Sequence, residues 1–527
     1  MKHLKYILPV LIFMMLSVAV TQAATNADLN RLLAEGHRAI SGWQTEEAAR
    51  VAAEIENKYS GEALAHYYLA RFQFENGDYV KALEHLEAAG GEIPEEKGGA
   101  GFEPYLRAAY ENTKDFKSRK SPHFEIRYQP GKEEIILDYA IETLEKAYME
   151  MATDFAYSPS GLIPVEIYPD LSMLARATGL SMEALKTTGT IGICKFNRLL
   201  VSSPRVSLMG YSWRDTMSHE LVHLFVSKVG NNKVPVWLHE GLAKFEELRW
   251  RRQPGGELKL SYESLLSRAL RENKLVTLEE MHPSMALLPS QEHGALAYAE
   301  VLTIVQFLYM QKGFPGLRQL LAEIGRDGDL DRAFKTVYGF DTKSLQEQWK
   351  RNMQSRGLRE TPETWADYKL IFDQDEESYE KSEEIKLNRK RARNYMVLGK
   401  LLKDRQHSAA AITEYEKATS IEGQGNVILQ NRLAQAYLDE KQPRKALEAL
   451  NQVVDLYPGY VGTHIRRAAA YLAQGEANLA LPSLIEAVGI NPFDPRVWQM
   501  MIEAYEATSR KDKAAEAERA MQLLATH

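Results

Sequence analysis

Apolar and polar positions divide the chain into three regimes. From about residue 392 the apolar positions follow a helical spacing, and like residues return every 34 positions. Tyr437, Tyr471 and Tyr505 are in register, as are Ala446, Ala480 and Ala514. Pro458 and Pro492 close successive helix pairs, and a weaker unit before them carries Gly399, Ala411 and Ala418. The same interval separates Ala48 from Ala82, where Asn76-Gly77-Asp78-Tyr79 supplies a turn. The small residues let antiparallel helices approach closely, while the tyrosines fill the gaps between pairs. A single hairpin of this kind cannot bury its apolar face, so units must stack. The pattern predicts two helical repeats plus an extra helix over 27–112, and a helical repeat domain over 392–527.

Between 117 and 360 the long period disappears. Alternation at Phe124–Tyr128 and Val165–Tyr168 predicts strands, with a helix between them around Ile135 to Phe155. Thr190–Lys195 and Arg198–Ser202 read as two strands joined by a tight Phe196-Asn197 turn, and helices dominate after Asp215. A small mixed sheet followed by helices is an α+β domain. An acidic run over 373–384, followed by basic residues to Arg393, marks 361–391 as a solvated charged linker.

The C-terminal pattern resembles the tetratricopeptide repeat. That resemblance implies a concave surface for a peptide or protein partner, with a spacer or oligomer scaffold as the alternative.

Composition narrows the function. The 527 residues are 45% apolar and 26% charged, too long for one core and normal for a soluble globular protein. Lys2 and Lys5, the apolar run Tyr6 to Val20 and the small residues ending at Ala23 read as a cleaved signal peptide over 1–23. The run is shorter than the ~20 residues that span a bilayer, so no stable membrane span is expected. Removing the two lysines takes the net charge from −7 to −9. An acidic exported protein is a poor candidate for nucleic-acid binding. Cys194 is the only cysteine, so no intramolecular disulfide forms, which suits a bacterial periplasm or the cell exterior.

The chemistry concentrates in His219-Glu220-Leu221-Val222-His223. On a helix, positions i and i+4 share a face, so both imidazoles can approach one metal ion with Glu220 beside them. Zn²⁺ lowers the pKa of its water to about 7, and a carboxylate can then take the proton. A catalytic zinc usually has three protein ligands. Seventeen residues after His223 comes Glu240, in Trp237-Leu238-His239-Glu240-Gly241-Leu242-Ala243, on a second helix that Pro235 starts.

With these two motifs the chain resembles the gluzincin metallopeptidases, above all the peptidase-MA-like group and more distantly the aminopeptidase-N-type enzymes. The resemblance implies that His219, His223 and Glu240 hold one Zn²⁺ and that Glu220 is general base and proton shuttle. It also implies an oxyanion donor on a later helix. Tyr298 is the candidate and a core aromatic is its alternative; His293 is a second candidate. Adjacent helical positions point about 100° apart, so His239 is read as an outer support or a solvated residue rather than a ligand. Glu246 and Glu247 read as a solvated face, with orientation of a ligand histidine as the alternative. Cys194 reads as a small buried hydrophobe on the strand expected to bind peptide substrates through its edge. Aminopeptidases of this type carry a glutamate on that strand, whereas residues 184–214 contain no acidic side chain, which predicts internal cleavage. The expectation is an exported zinc peptidase with a peptide or protein substrate. The alternative is a non-catalytic repeat scaffold that retains a zincin-like domain.

Overall fold

The computed structural model describes residues 27–90, 101–251, 254–256, 258–282, 285, 288–360, 370, 372, 387 and 389–525. The expected signal peptide and most of the expected linker lie outside these residues. The chain forms two compact units, Met1–Lys114 with Lys195–Arg198, and Asp115–Cys194 with Leu199–His527.

The described part of the first unit is helical, with helices at 27–41, Thr45–Tyr59, Ala63–Glu75, Tyr79–Ala88 and Phe102–Thr113. Ala48 and Ala82, the residues 34 apart, are fully buried. A Cβ at Gly36 would lie 2.4 Å from the Tyr68 ring, so the first two helix pairs stack over a glycine. Asp78 caps the fourth helix by accepting from the Lys81 N–H at 3.2 Å. Within this unit Arg198 donates to the Tyr79 hydroxyl, and Lys195 pairs with Glu75 at 3.2 Å.

A five-stranded sheet follows, and all of its residues except Lys195 and Arg198 belong to the second unit. Its strands are β1 (Lys117–Lys120), β2 (Phe124–Tyr128), β3 (Ile163–Tyr168), β4 (Gly192–Lys195) and β5 (Arg198–Ser202), in the order β1-β2-β3-β5-β4. β1 is antiparallel to β2, whereas β2, β3 and β5 run parallel, with Ile126 opposite Val165 and Val165 opposite Leu199. The sheet is therefore mixed, as expected. β2 alternates buried and half-buried, which is why its period of two was legible. β1 is Lys-Ser-Arg-Lys and fully exposed, so it gave no such signal. Charged residues of this kind blunt a sheet edge against pairing with other chains. β4 forms the other edge.

The helix Leu137–Phe155 buries Ala140, Leu144, Ala147 and Met151 in a core shared with Phe124, Ile126 and Val165 of the sheet. Three further helices build the site: the His219 helix (Trp213–Val229), the Glu240 helix (Val236–Glu246) and the Tyr298 helix (Gln291–Asp327). The last is broken at Gly313 (φ 58°), two residues before Pro315. Phe225, Leu238, Leu242, Val301 and Val305 from these helices join the same core.

Four helix pairs follow: Lys390–Asp404 with Ser408–Glu422, Val427–Asp439 with Pro443–Asn451, Val461–Leu472 with Ala477–Val488, and Pro495–Ala507 with Lys511–Ala525. Ala411, Ala446 and Ala480 are fully buried at their expected close approaches. Gly399 lies under Tyr415, whose ring a Cβ would meet at 2.6 Å. These repeats are seated on the start of the His219 helix. The Trp213 indole N–H donates to the Val488 carbonyl at 2.9 Å, and Tyr211 N–H to that of Ile490 at 3.0 Å. Arg251, just beyond the Glu240 helix, grips Glu486 through both carboxylate oxygens (2.9 and 3.0 Å) and Asp215 at 2.8 Å. Among the described residues no helix is long and apolar enough to cross a membrane.

Candidate metal centre

His219 and His223 stand one turn apart on their helix, so both rings project from one face. The chain then turns back through Asn231 and Asn232, both left-handed (φ 49° and 54°), and Pro235 caps the Glu240 helix. This return brings Glu240 to the imidazoles. Its Oε2 lies 3.3 Å from His219 Nε2 and 3.8 Å from His223 Nε2. The ligand atoms of His219, His223 and Glu240 all lie within 4.8 Å of one another, close enough to share one ion.

The other ring nitrogens face outward to partners. His219 Nδ1 lies 3.2 Å from Glu247 Oε2, and His223 Nδ1 lies 3.3 Å from His239 Nδ1. A ring whose Nδ1–H is committed to a neighbour presents Nε2 as a lone-pair donor. His239 thus stands beside His223, at the ring nitrogen turned away from Glu240. Glu247 supports His219, and its side chain is only 15% exposed, so the expected solvated face is not what forms. Glu247 follows Glu240 by nearly two helical turns and shares its face, a spacing that the sequence also offers to any exposed acidic pair. Lys244 holds Glu247 by both oxygens, at 2.6 and 2.7 Å.

The charges favour a cation. Glu240 Oε2 is buried without a well-aligned hydrogen bond, and its nearest positive partner is the His219 ring, at 3.3 Å. Burial alone would raise the Glu240 carboxyl, but the three neighbouring histidines, His223 foremost, hold it near 2. Burial disfavours the charged form of His219, yet the Glu240 and Glu247 carboxylates outweigh it and raise that ring to about 10. His223 has no carboxylate at its outer nitrogen, and burial pushes it down to about 3. Burial also lifts Glu220 to about 7, against the pull of His219. A carboxyl poised near neutrality suits proton transfer. Two imidazole nitrogens and a carboxylate oxygen within reach of one ion fit a divalent metal of the zinc type.

A family model described as Peptidase MA superfamily matches residues 146–355. Tetratricopeptide repeat models match 33–95, 396–461 and 437–504. The chain carries a peptidase MA superfamily domain together with tetratricopeptide repeats. The yeast leukotriene A4 hydrolase structure is 12% identical, covering 77% of this chain and 67% of that one, with a TM-score of 0.30. The P58(IPK) tetratricopeptide domain is 11% identical, covering 92% and 99%, with a TM-score of 0.22. The Cut9-Hcn1 assembly is 11% identical, covering 94% and 79%, with a TM-score of 0.26. No curated protein matches the sequence.

In the peptidase MA domain Tyr298 is half-buried at the edge of the core, and the Glu240 charge, then burial, raises its phenol well above the usual value. Tyr298 therefore stays protonated within the field of Glu240, Glu220 and Glu247, a hydroxyl able to donate. His293 is exposed at the start of the Tyr298 helix, with Nδ1 2.7 Å from Ser290 Oγ. Glu246 is fully buried, and burial with the neighbouring Asp154 charge raises its carboxyl well above the usual value. Cys194 is buried and its thiol is raised by burial, as befits a core residue and not a nucleophile.

Gly241 sets the depth of the Glu240 helix. A Cβ there would lie 2.7 Å from the Val301 carbonyl oxygen and 2.8 Å from Val305 Cγ2. Gly241→Ala must part the Glu240 and Tyr298 helices, and a loss of about 1–3 kcal/mol is expected. Thermal or denaturant unfolding reads this directly; an unchanged midpoint would mean the helices yield without cost.

Proposed function

We propose that this protein is an exported zinc-dependent peptidase whose repeats engage a protein partner or substrate. The observation that carries the reading is the convergence of His219, His223 and Glu240, with the buried carboxyl of Glu220 on the same helix. His219, His223 and Glu240 would hold the ion, supported by Glu247 and His239. When bound, zinc polarises the scissile carbonyl and lowers the pKa of the attacking water. Glu220 takes a proton from that water and passes it to the leaving amine. The protonated Tyr298 hydroxyl donates to the oxygen that gains charge in the transition state. β4 offers its open edge to an extended peptide, and its Gly-Ile-Cys-Lys sequence has no carboxylate to bind a free amine. That supports internal cleavage over removal of single N-terminal residues. Export rests on the leader-like residues 1–23 and the lone cysteine.

The test is incubation of the full chain with a diverse peptide mixture, read by mass spectrometry. Internal cleavage is expected, stopped by a chelator and restored by added zinc. Release of single N-terminal residues would overturn the endopeptidase reading. No cleavage under any condition would favour the non-catalytic scaffold.

A further inference from the structure

Glu220 is held on its far side by the backbone of β4. A Cβ built at Gly192 would lie 2.8 Å from Glu220 Oε1, 2.9 Å from its Cγ and 3.1 Å from its Cδ. These are the three nearest atoms, so Glu220 is what a side chain at 192 would strike. The backbone of Gly192 is not left-handed, so conformation places no demand for glycine here. The base thus lies between its own helix and a gap on β4 that only glycine leaves.

We propose that Gly192 is a positioning residue for the catalytic base: by lacking a side chain it lets the Glu220 carboxyl lie against β4. The role of Glu220 as base rests on the peptidase reading above; the packing of Gly192 on Glu220 does not. An alanine at 192 pushes the carboxyl off β4 and away from the water it must deprotonate. Misplacement of a reacting group by about 1 Å costs about 100-fold in rate.

Two measurements test this. In the first, Gly192→Ala lowers kcat by about 100-fold, with KM and zinc stoichiometry unchanged. In the second, a thermal-unfolding cycle combines Gly192→Ala with Glu220→Ala. Contacting residues couple in such a cycle, so the alanine at 192 lowers Tm in the parent and not in the Glu220→Ala background. Equal Tm losses in both backgrounds, undiminished kcat, or loss of zinc from Gly192→Ala would overturn the proposal. If the parent shows no turnover at all, the peptidase reading fails while the unfolding cycle still decides whether Gly192 makes room for Glu220. Should Gly192→Ala alone not fold, its rescue by Glu220→Ala supports the proposal and failure of rescue refutes it.

Discussion

Glu220→Gln is expected to lower kcat by about 10³-fold, roughly 4 kcal/mol of transition-state stabilisation, while leaving bound zinc in place. The amide keeps the size of the side chain, so its place beside Gly192 is preserved. What it loses is the capacity to accept a proton, which in the parent a burial-raised carboxyl near 7 supplies. Because Glu220 is no member of the His219, His223, Glu240 cluster, metal stoichiometry is expected to match the parent. Single-turnover kinetics with parallel metal analysis separates the two effects. Equal peptide profiles for variant and parent would assign the domain to the scaffold reading. Loss of zinc with loss of rate would place Glu220 in a supporting role.

The second large effect is expected at Glu240. Glu240→Ala removes the oxygen nearest both Nε2 atoms and the charge that balances the site. Loss of an outer supporting group alone costs about 10–100-fold in metal affinity, so removal of the carboxylate itself is expected to exceed that. The loss carries over to stability, since metal at 100 times its Kd stabilises the folded state by about 2.7 kcal/mol. A chelator should therefore lower the Tm of the parent and leave Glu240→Ala unmoved. A chelator-induced shift of the same size in both proteins would take Glu240 out of the metal site.

Local sequence carried much of this. The repeats were legible because one small residue per 34 positions must be buried wherever helices touch, as Ala82, Ala446 and Ala480 are. The pair His219 and His223 was legible because helical spacing alone puts both on one face. Glu240 needed the resemblance to a known family, since nothing local says that a second helix folds back. Glu247 was hidden because an acidic pair on a helix looks the same facing water or a ligand. Gly192 was hidden for a further reason: its role depends on a strand meeting a helix 28 residues later, which no period records. The seam between Trp213 and Val488 spans 275 positions and is equally invisible to local pattern. β1 escaped because a fully exposed, charged edge strand has no apolar alternation to detect.

The most direct test is anomalous diffraction at the zinc edge from crystals of the full chain grown with zinc. One peak is expected, within coordination distance of His219 Nε2, His223 Nε2 and a Glu240 oxygen, with Glu220 beside it and unligated. A peak bound through His239 in place of Glu240, or zinc-replete crystals without a peak at this cluster, would contradict it.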